Sequence, residues 1–241
     1  MRIDGRRVRA IFAKELREIQ RNRSLLLAMA VLPIVFLIQP LVAILGLSAR
    51  EAGALRNEHV LLYLLGIPIL VPPVIAATAI AGERQQGTLE PVLTTPIRRE
   101  ELLLGKGLAA LVPSIGIALA VDGLFLAVVA LFAQPDIASA MVNGPDLIAQ
   151  LVFIPLLAAW SVWVGLAVST RTSDMRVAQQ LALFANVPVV FFVALIAFGV
   201  IPPSRQLAVG LAALLIVLDT TGWRIAARLF DRERLIAGTR S

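Results

Sequence analysis

Six long apolar stretches, separated by short polar segments, constrain this chain more than any other feature of its sequence. They run approximately over 25–47, 60–81, 104–133, 147–169, 177–200 and 207–226. A helix of about 20 apolar residues crosses a hydrocarbon core of about 30 Å, and each stretch reaches that length. Hydrophobic residues make up 59% of the 241 positions, more than a soluble core of this size can bury. The expected fold is therefore all-α, a polytopic membrane protein with six transmembrane helices.

The basic residues predict how these helices are oriented. Nineteen of the 22 Arg and Lys residues lie on one side of the predicted membrane, and the other side has only Arg50, Arg56 and Arg205. Because loops rich in Arg and Lys stay in the cytoplasm, both termini and the second and fourth loops are expected there. The preference for Arg over Lys is compatible with a prokaryote, so we expect a plasma membrane. Basic residues beside apolar stretches indicate anionic headgroups as their neighbours and argue against nucleic acid.

The chain divides into three predicted parts. Residues 1–24 form a cytoplasmic amphipathic helix, 25–227 the transmembrane domain and 228–241 a cytoplasmic tail. The first part carries apolar residues at helical spacing on one face; these are Val8, Ile11, Phe12, Leu16 and Ile19. Two interpretations stay open for this helix, because it could rest on anionic lipid or dock against a cytoplasmic partner. Glu15 projects near the apolar face, where a carboxylate needs a positive partner.

The loop over 82–101, between the second and third spans, is predicted to be structured. Gly87 releases the backbone from the preceding helix, and Thr88 is suited to cap a short new one. Thr95-Pro96 then gives the cap-and-proline pattern for the next long helix. That helix is predicted to be about 55 Å long, so its first turns project into the cytoplasm. In the second span, Pro72-Pro73 predicts a break or a strong bend.

Polar residues inside the spans are candidates for a translocation path. Asp122 is the most prominent, since an aspartate at the centre of a span costs about 2.5 to 3.5 kcal/mol. It either lines the path or a helix interface, or lies toward the outer leaflet where water lowers that cost. Gln39 and Asn186 are further candidates, although such residues more often bond across helices. Asp219 lies close to Arg224 along the chain and near the cytoplasmic surface.

Several kinds of chemistry have no residues to support them. The chain has no Cys and one histidine, His59, so neither a metal site nor a catalytic dyad is expected. No G-x-x-x-x-G-K-[ST] phosphate loop, H-E-x-x-H or G-x-S-x-G motif occurs. We therefore expect no catalytic or cofactor site in this chain, and energy from a partner or from an ion gradient.

In combination, these elements resemble the type-two ABC exporter permeases, the membrane subunits of ATP-driven exporters. The resemblance rests on Lys14-Glu15-Leu16, on the stretch from Glu83 through Gly87-Thr88-Leu89-Glu90 to Thr95-Pro96 and Leu104-Gly105-Lys106, and on the tail Phe230-Asp231-Arg232-Glu233-Arg234. With the six-span plan, it extends over essentially the whole chain.

The resemblance implies a coupling helix after the second span, seated in a groove of a separate ATP-binding subunit on which the N-terminal helix also rests. The interface residues it implies are Lys14, Glu15, Glu83, Gly87, Thr88, Leu89, Glu90, Thr95 and Pro96. ATP and Mg²⁺ would bind the partner, present in two copies, and a second permease copy would complete the path.

Two other functional classes stay open. One is a transporter driven by an ion gradient, with Asp122 as the ion or proton site, although no inverted repeat is visible. The other is a membrane enzyme acting on lipids, for which no nucleophile, acid-base pair or metal cluster is recognisable.

Overall fold

The computed structural model describes residues 3–46, 59–88, 97–142 and 144–229, and these residues form helices joined by short turns. The helices are α1 (Gly5–Arg21), α2 (Arg23–Leu45), α3 (Val60–Tyr63), α4 (Ile67–Gln85), α5 (Arg99–Phe132), α6 (Pro135–Met141), α7 (Gly144–Ser169), α8 (Met175–Ala197) and α9 (Arg205–Leu229). A 3₁₀ turn, Leu64–Gly66, joins α3 to α4. Six membrane-spanning candidates are found among the described residues, corresponding to α2, α4, α5, α7, α8 and α9. The all-α, six-span fold is confirmed.

The six spans alternate in direction, so the bundle has two distinct ends. The α1 end contains α1, the last turn of α4, the first turn of α5 and the turn between α7 and α8. Contacts such as that of Lys14 with Glu83, 69 positions apart, hold this end together. The far end contains α6 and the turn between α8 and α9, and there His59 contacts Asp146.

Helix α4 is the centre of the bundle, packed against α2, α5, α7 and α8. In its most apolar 18-residue window 83% is buried, against 0% in the corresponding window of α9. Small residues bring α7 close to α4, because a Cβ added to Gly165 would lie 2.8 Å from the Cβ of Ala76 and 3.2 Å from the Cα of Pro73. Helix α9 packs mainly on α7, which leaves most of its surface exposed.

The predicted break at Pro72-Pro73 was wrong, because α4 continues as a helix through both residues; the alternative, a strong bend there, stays a prediction. The irregular backbone lies earlier, in the 3₁₀ turn before α4. Inside a membrane, backbone groups that lose a helical partner are satisfied by neighbouring helices. The side-chain amide of Gln150 on α7 donates to the carbonyl of Leu61, and Gln179 on α8 donates to the carbonyl of Val74 at 3.3 Å.

Helix α5 is the longest, with 34 residues and a length of about 51 Å. It begins at Arg99, so the prediction that Thr95-Pro96 caps it was wrong. The cap comes from within the helix, since the Glu101 carboxylate accepts a hydrogen bond from the Arg98 amide at 3.1 Å. Because α5 exceeds the hydrocarbon core of about 30 Å, part of it extends beyond the bilayer.

Candidate functional site

Helix α1 lies on the first turns of α5. The Glu101 carboxylate accepts from the Asp4 amide at 3.0 Å, which fixes the start of α1. Farther along, Ile11 packs directly over Gly105, where an added Cβ would lie 2.5 Å from the Ile11 side chain. The apolar face of α1 is thus occupied by the chain's own third span. The two sequence-based interpretations of α1, a helix on anionic lipid or one docked against a cytoplasmic partner, stay predictions for the rest of its surface.

A buried ammonium group joins α1, α4 and α5. Lys106 lies two turns into α5, and its side chain is only 1% exposed. Its Nζ lies 2.8 Å from Glu15 Oε1 on α1 and 2.9 Å from Glu83 Oε1 on α4. The third acceptor is the Ala79 carbonyl of α4, at 2.8 Å. All three N–H donors of the ammonium therefore have an acceptor.

A second cation contacts the same two carboxylates. Lys14 Nζ lies 3.2 Å from Glu83 Oε1 and 3.3 Å from Glu15 Oε1, and its side chain is 49% exposed. Burial alone would lower the pKa of Lys14, but Glu15, Glu83 and Glu18 outweigh this effect and raise it above its ordinary value. Two ammonium groups thus balance two buried carboxylates, as buried charges require. We call Lys14, Glu15, Glu83 and Lys106 the Lys106 cluster.

The end of α4 is also held from α7, by the hydroxyl of Ser169. This Oγ donates to the Ala77 carbonyl at 2.6 Å and accepts from the amides of Ile80 and Ala81 at 3.1 and 2.9 Å. It therefore lies between the carbonyl and the amide that would bond to each other in a regular helix. Side chains inserted in this way are a known cause of helix bending, so the last turns of α4 have a defined place at which to bend.

Helix α4 ends at Gln85, and Gly87 releases the backbone from it as the sequence predicts. This glycine has a φ of 69°, the left-handed conformation that glycine adopts without strain. The Thr88 amide donates to the Glu83 carbonyl at 2.9 Å and the Gly87 amide to the Arg84 carbonyl at 3.2 Å, which together form a Schellman motif. The Arg84 guanidinium also donates to the carbonyl of Thr172, at 3.1 Å.

The predicted interface residues fall into two groups. Lys14, Glu15 and Glu83 meet in the Lys106 cluster, and Gly87 and Thr88 follow it by about one turn. The others, Leu89, Glu90, Thr95 and Pro96, lie outside the described residues, as does the short helix expected after Thr88, and their role stays a prediction.

Three residues at this end were missed as site residues by the sequence reasoning: Arg84, Glu101 and Lys106. For Lys106 a clue existed, since a charged residue within an apolar helix is a candidate functional site by default. The contact of Glu101 with Asp4 spans 97 positions and has no local sequence signature.

The three predicted path residues are not brought together. Asn186 is buried in α8, where it accepts from the Ser161 hydroxyl of α7 at 3.1 Å and donates to the Ala182 carbonyl at 2.8 Å. Its role is to bond two helices. Gln39 is exposed on α2. Asp122 is 7% exposed on α5, and neither of its carboxylate oxygens has a hydrogen-bond partner among the described residues.

The structure also gives the positions of His59 and Asp219, two further polar residues of the sequence analysis. At the far end, His59 Nδ1 lies 3.0 Å from Asp146 Oδ1. Asp219 Oδ1 is buried without a hydrogen-bond partner in the described part of the chain, so its nearness to Arg224 along the sequence gives no ion pair. Within that same part, no group of three or more His, Asp or Glu residues is placed to hold a metal ion.

A family model described as ABC-2 family transporter protein matches residues 9–229. The match extends from α1 to the end of α9 and includes the whole Lys106 cluster. No individual curated protein matches the sequence.

Proposed function

This chain belongs to the ABC-2 family of transporter proteins, and we propose that it is the permease subunit of an ATP-driven exporter powered by a separate ATP-binding subunit. The residue range of the match and the six candidate spans support a multi-pass ABC permease.

The Lys106 cluster is the observation that carries this proposal. The 89–96 segment connects the end of α4 to the start of α5. It follows Thr88, three residues after α4 ends, and precedes Ile97, two residues before α5 begins. Lys106 fastens α4 to α5 and to α1 with contacts of 2.8 to 2.9 Å. A push on the 89–96 segment would therefore be delivered to three helices together. We assign this segment, with Leu89, Glu90, Thr95 and Pro96, as the coupling helix.

The α1 end has the charge expected of a cytoplasmic face. The excess of Arg and Lys at this end favours the cytoplasm of a prokaryotic cell. Because the apolar face of α1 is covered by α5, its exposed basic face remains for a partner or for anionic lipid; the exposed residues include Arg6, Arg9, Arg17 and Arg21. Glu15 and Glu83 are mostly buried, so they act by positioning α1 and α4 and not by touching the ATPase.

The complete exporter would contain two ATP-binding subunits and a second permease copy, identical or related. ATP and Mg²⁺ would bind the ATP-binding subunits, and closure of these subunits would move the coupling helix. The Ser169 contact gives α4 a place to bend between the coupling helix and the bundle centre. This sequence of events delivers mechanical work to the most buried helix of the chain.

Asp122 favours one alternative, a transporter driven by an ion gradient. A carboxylate without a partner in the described residues is suited to bind a proton or a cation. Transport assays in proteoliposomes distinguish the two functions. An exporter needs ATP and the partner subunit, whereas the alternative predicts transport with an ion gradient alone that is lost in Asp122→Asn.

The decisive experiment co-expresses this chain with a candidate ATP-binding subunit from the same genome, a protein that carries the G-x-x-x-x-G-K-[ST] phosphate loop. We expect no ATPase activity from the isolated permease and stimulated activity from the complex. Glu90→Ala, or shortening of the 86–93 stretch, should lower that stimulation about tenfold, an effect of about 1.4 kcal/mol. Asp136→Asn, at an exposed far-end position, is the control and should leave it unchanged. Full stimulation and transport after both coupling-segment changes would overturn the proposal.

A further inference from the structure

A deep groove opens at the far end of the bundle, between α7, α8 and α9. Its volume is about 900 Å³, within the range of about 300 to 1,000 Å³ for ligand pockets in proteins. Its walls are apolar and include Phe153, Phe192 and Leu211, whereas His59, Asp146 and Arg205 lie at its mouth. The groove thus matches a membrane lipid, because both have a polar end and a long apolar body.

The length of this groove matches one leaflet of a bilayer. On α7 the lining runs from Pro145 to Trp160, and on α9 from Arg205 to Leu218. Each stretch is about 20 Å long at about 1.5 Å per residue. One leaflet of hydrocarbon is about 15 Å thick, so the groove reaches from the membrane surface to slightly beyond the midplane.

The charges at the mouth favour an anionic headgroup. Both Asp146 carboxylate oxygens are engaged by His59, at 3.0 and 3.1 Å. Arg205 has no ion pair or side-chain hydrogen bond among the described residues, and it begins α9, whose N-terminal end carries partial positive charge. A guanidinium group in that position suits the oxygens of a phosphate, which it binds in a bidentate manner.

We propose that this groove binds a phospholipid of the far-end leaflet, with an acyl chain between α8 and α9 and the phosphate on Arg205. The site needs no ATP-binding subunit and is independent of the proposed function. Its contribution is to fill an apolar space that would otherwise separate α9 from α8 and leave α9 held mainly by α7.

Photocrosslinking in membranes tests this proposal. The purified chain is placed in phosphatidylcholine vesicles that contain a small fraction of phosphatidylglycerol with a photoreactive group in its acyl chain. We expect adducts to concentrate on the groove-lining segments of α7, α8 and α9. Ala212→Trp places an indole in the groove and should lower this labelling about tenfold. Ala213 is the matched control, since it is the next residue, is exposed and is outside the lining.

The headgroup is tested with a second probe, a diacylglycerol that carries the same photoreactive chain. The normal chain should prefer the phosphatidylglycerol probe by about tenfold, and Arg205→Gln should remove this preference while chain labelling persists. Arg205 is exposed, so this variant gives a result even if Ala212→Trp does not fold.

Three results would overturn the proposal. The first is uniform labelling of all six spans, and the second is an equal loss of labelling in Ala213→Trp. The third is a change of oligomeric size in Ala212→Trp with labelling unchanged, which would identify a second copy as the occupant.

Discussion

Helix α5 carries two buried charges of opposite sign whose surroundings differ completely. Lys106 lies near the α1 end, and each of its three donors has an acceptor at 2.8 to 2.9 Å. Asp122 lies 16 positions later, about 24 Å along the helix. Its two carboxylate oxygens have no hydrogen-bond partner in the described residues. One charge is satisfied inside the subunit, and the other is not.

This difference separates a charge that is paired within the subunit from one that is not. A buried ion with full partners holds its helices in one arrangement, whereas a buried ion without partners costs several kcal/mol until something satisfies it. For Asp122 we infer that water, a transported solute or a second permease copy provides this. We propose that the Lys106 cluster transmits force within the subunit, and that Asp122 is satisfied by a group from outside it.

The largest expected effect comes from removing the satisfied charge. Lys106→Met leaves Glu15 and Glu83 largely buried, with only the half-exposed Lys14 as a cation. Breaking a buried ion pair on one side costs about 3 to 5 kcal/mol, and we expect the free energy of unfolding to fall by this amount. Thermal and denaturant unfolding of the purified chain in detergent measures it.

A combined variant shows whether charge is the cause. Adding Glu15→Gln and Glu83→Gln to Lys106→Met removes the carboxylates as well and should restore at least half of the lost stability. If the combined variant is as unstable as Lys106→Met alone, packing and not charge would explain the loss, and the contrast with Asp122 would fail.

Removing the unsatisfied charge should change the free energy of unfolding in the opposite direction. Asp122→Leu should raise the unfolding free energy of the isolated chain by about 2 to 3 kcal/mol, because the aspartate opposes insertion by about that amount. The same substitution should lower transport by the assembled exporter. Unfolding in detergent measures the change in stability, and transport in proteoliposomes measures the change in activity. A destabilised isolated chain would instead show that Asp122 already has a partner within the subunit.

The sequence predicted the spans well and the Lys106 cluster only in part, for one physical reason. A span requires about 20 apolar residues, a property of one continuous segment. The partners of Lys106 lie as far as 91 positions away, and the hydroxyl of Ser169 bonds to a carbonyl 92 positions away, so both depend on how separate helices pack. Hydropathy placed the third apolar stretch from residue 104, and the helix that contains it was predicted to begin near Thr95-Pro96, whereas α5 begins at Arg99.

The contact that places Glu15 beside Lys106 is tested at Gly105. Gly105→Ala directs a methyl group into Ile11, and overpacking of this kind costs about 1 to 3 kcal/mol. We expect α1 to separate from α5, which would make a cysteine introduced at Val8 reactive to maleimide; the natural chain has no Cys. Gly116→Ala is the control on the same helix, with open space around its Cβ. Equal maleimide reactivity of the Gly105→Ala and Gly116→Ala variants would contradict the contact.

The smallest expected effect comes from Lys14, whose replacement allows the two lysines of the Lys106 cluster to be compared. Lys14 and Lys106 contact the same oxygen of Glu83, at 3.2 and 2.9 Å, but their side chains are 49% and 1% exposed. Since exposed ion pairs contribute about 0 to 1 kcal/mol, Lys14→Met should lower the unfolding free energy by less than that, and added salt should reduce the difference. The pKa of Lys14 is raised above its ordinary value of 10.5, so the side chain is charged throughout the neutral range. The stability that Lys14 contributes should therefore be constant through neutral pH. It should disappear only as the pH rises through the raised pKa. If Lys14→Met were as destabilising as Lys106→Met, exposure would not distinguish the two cations, and the cluster would act as one unit in which neither lysine can be replaced.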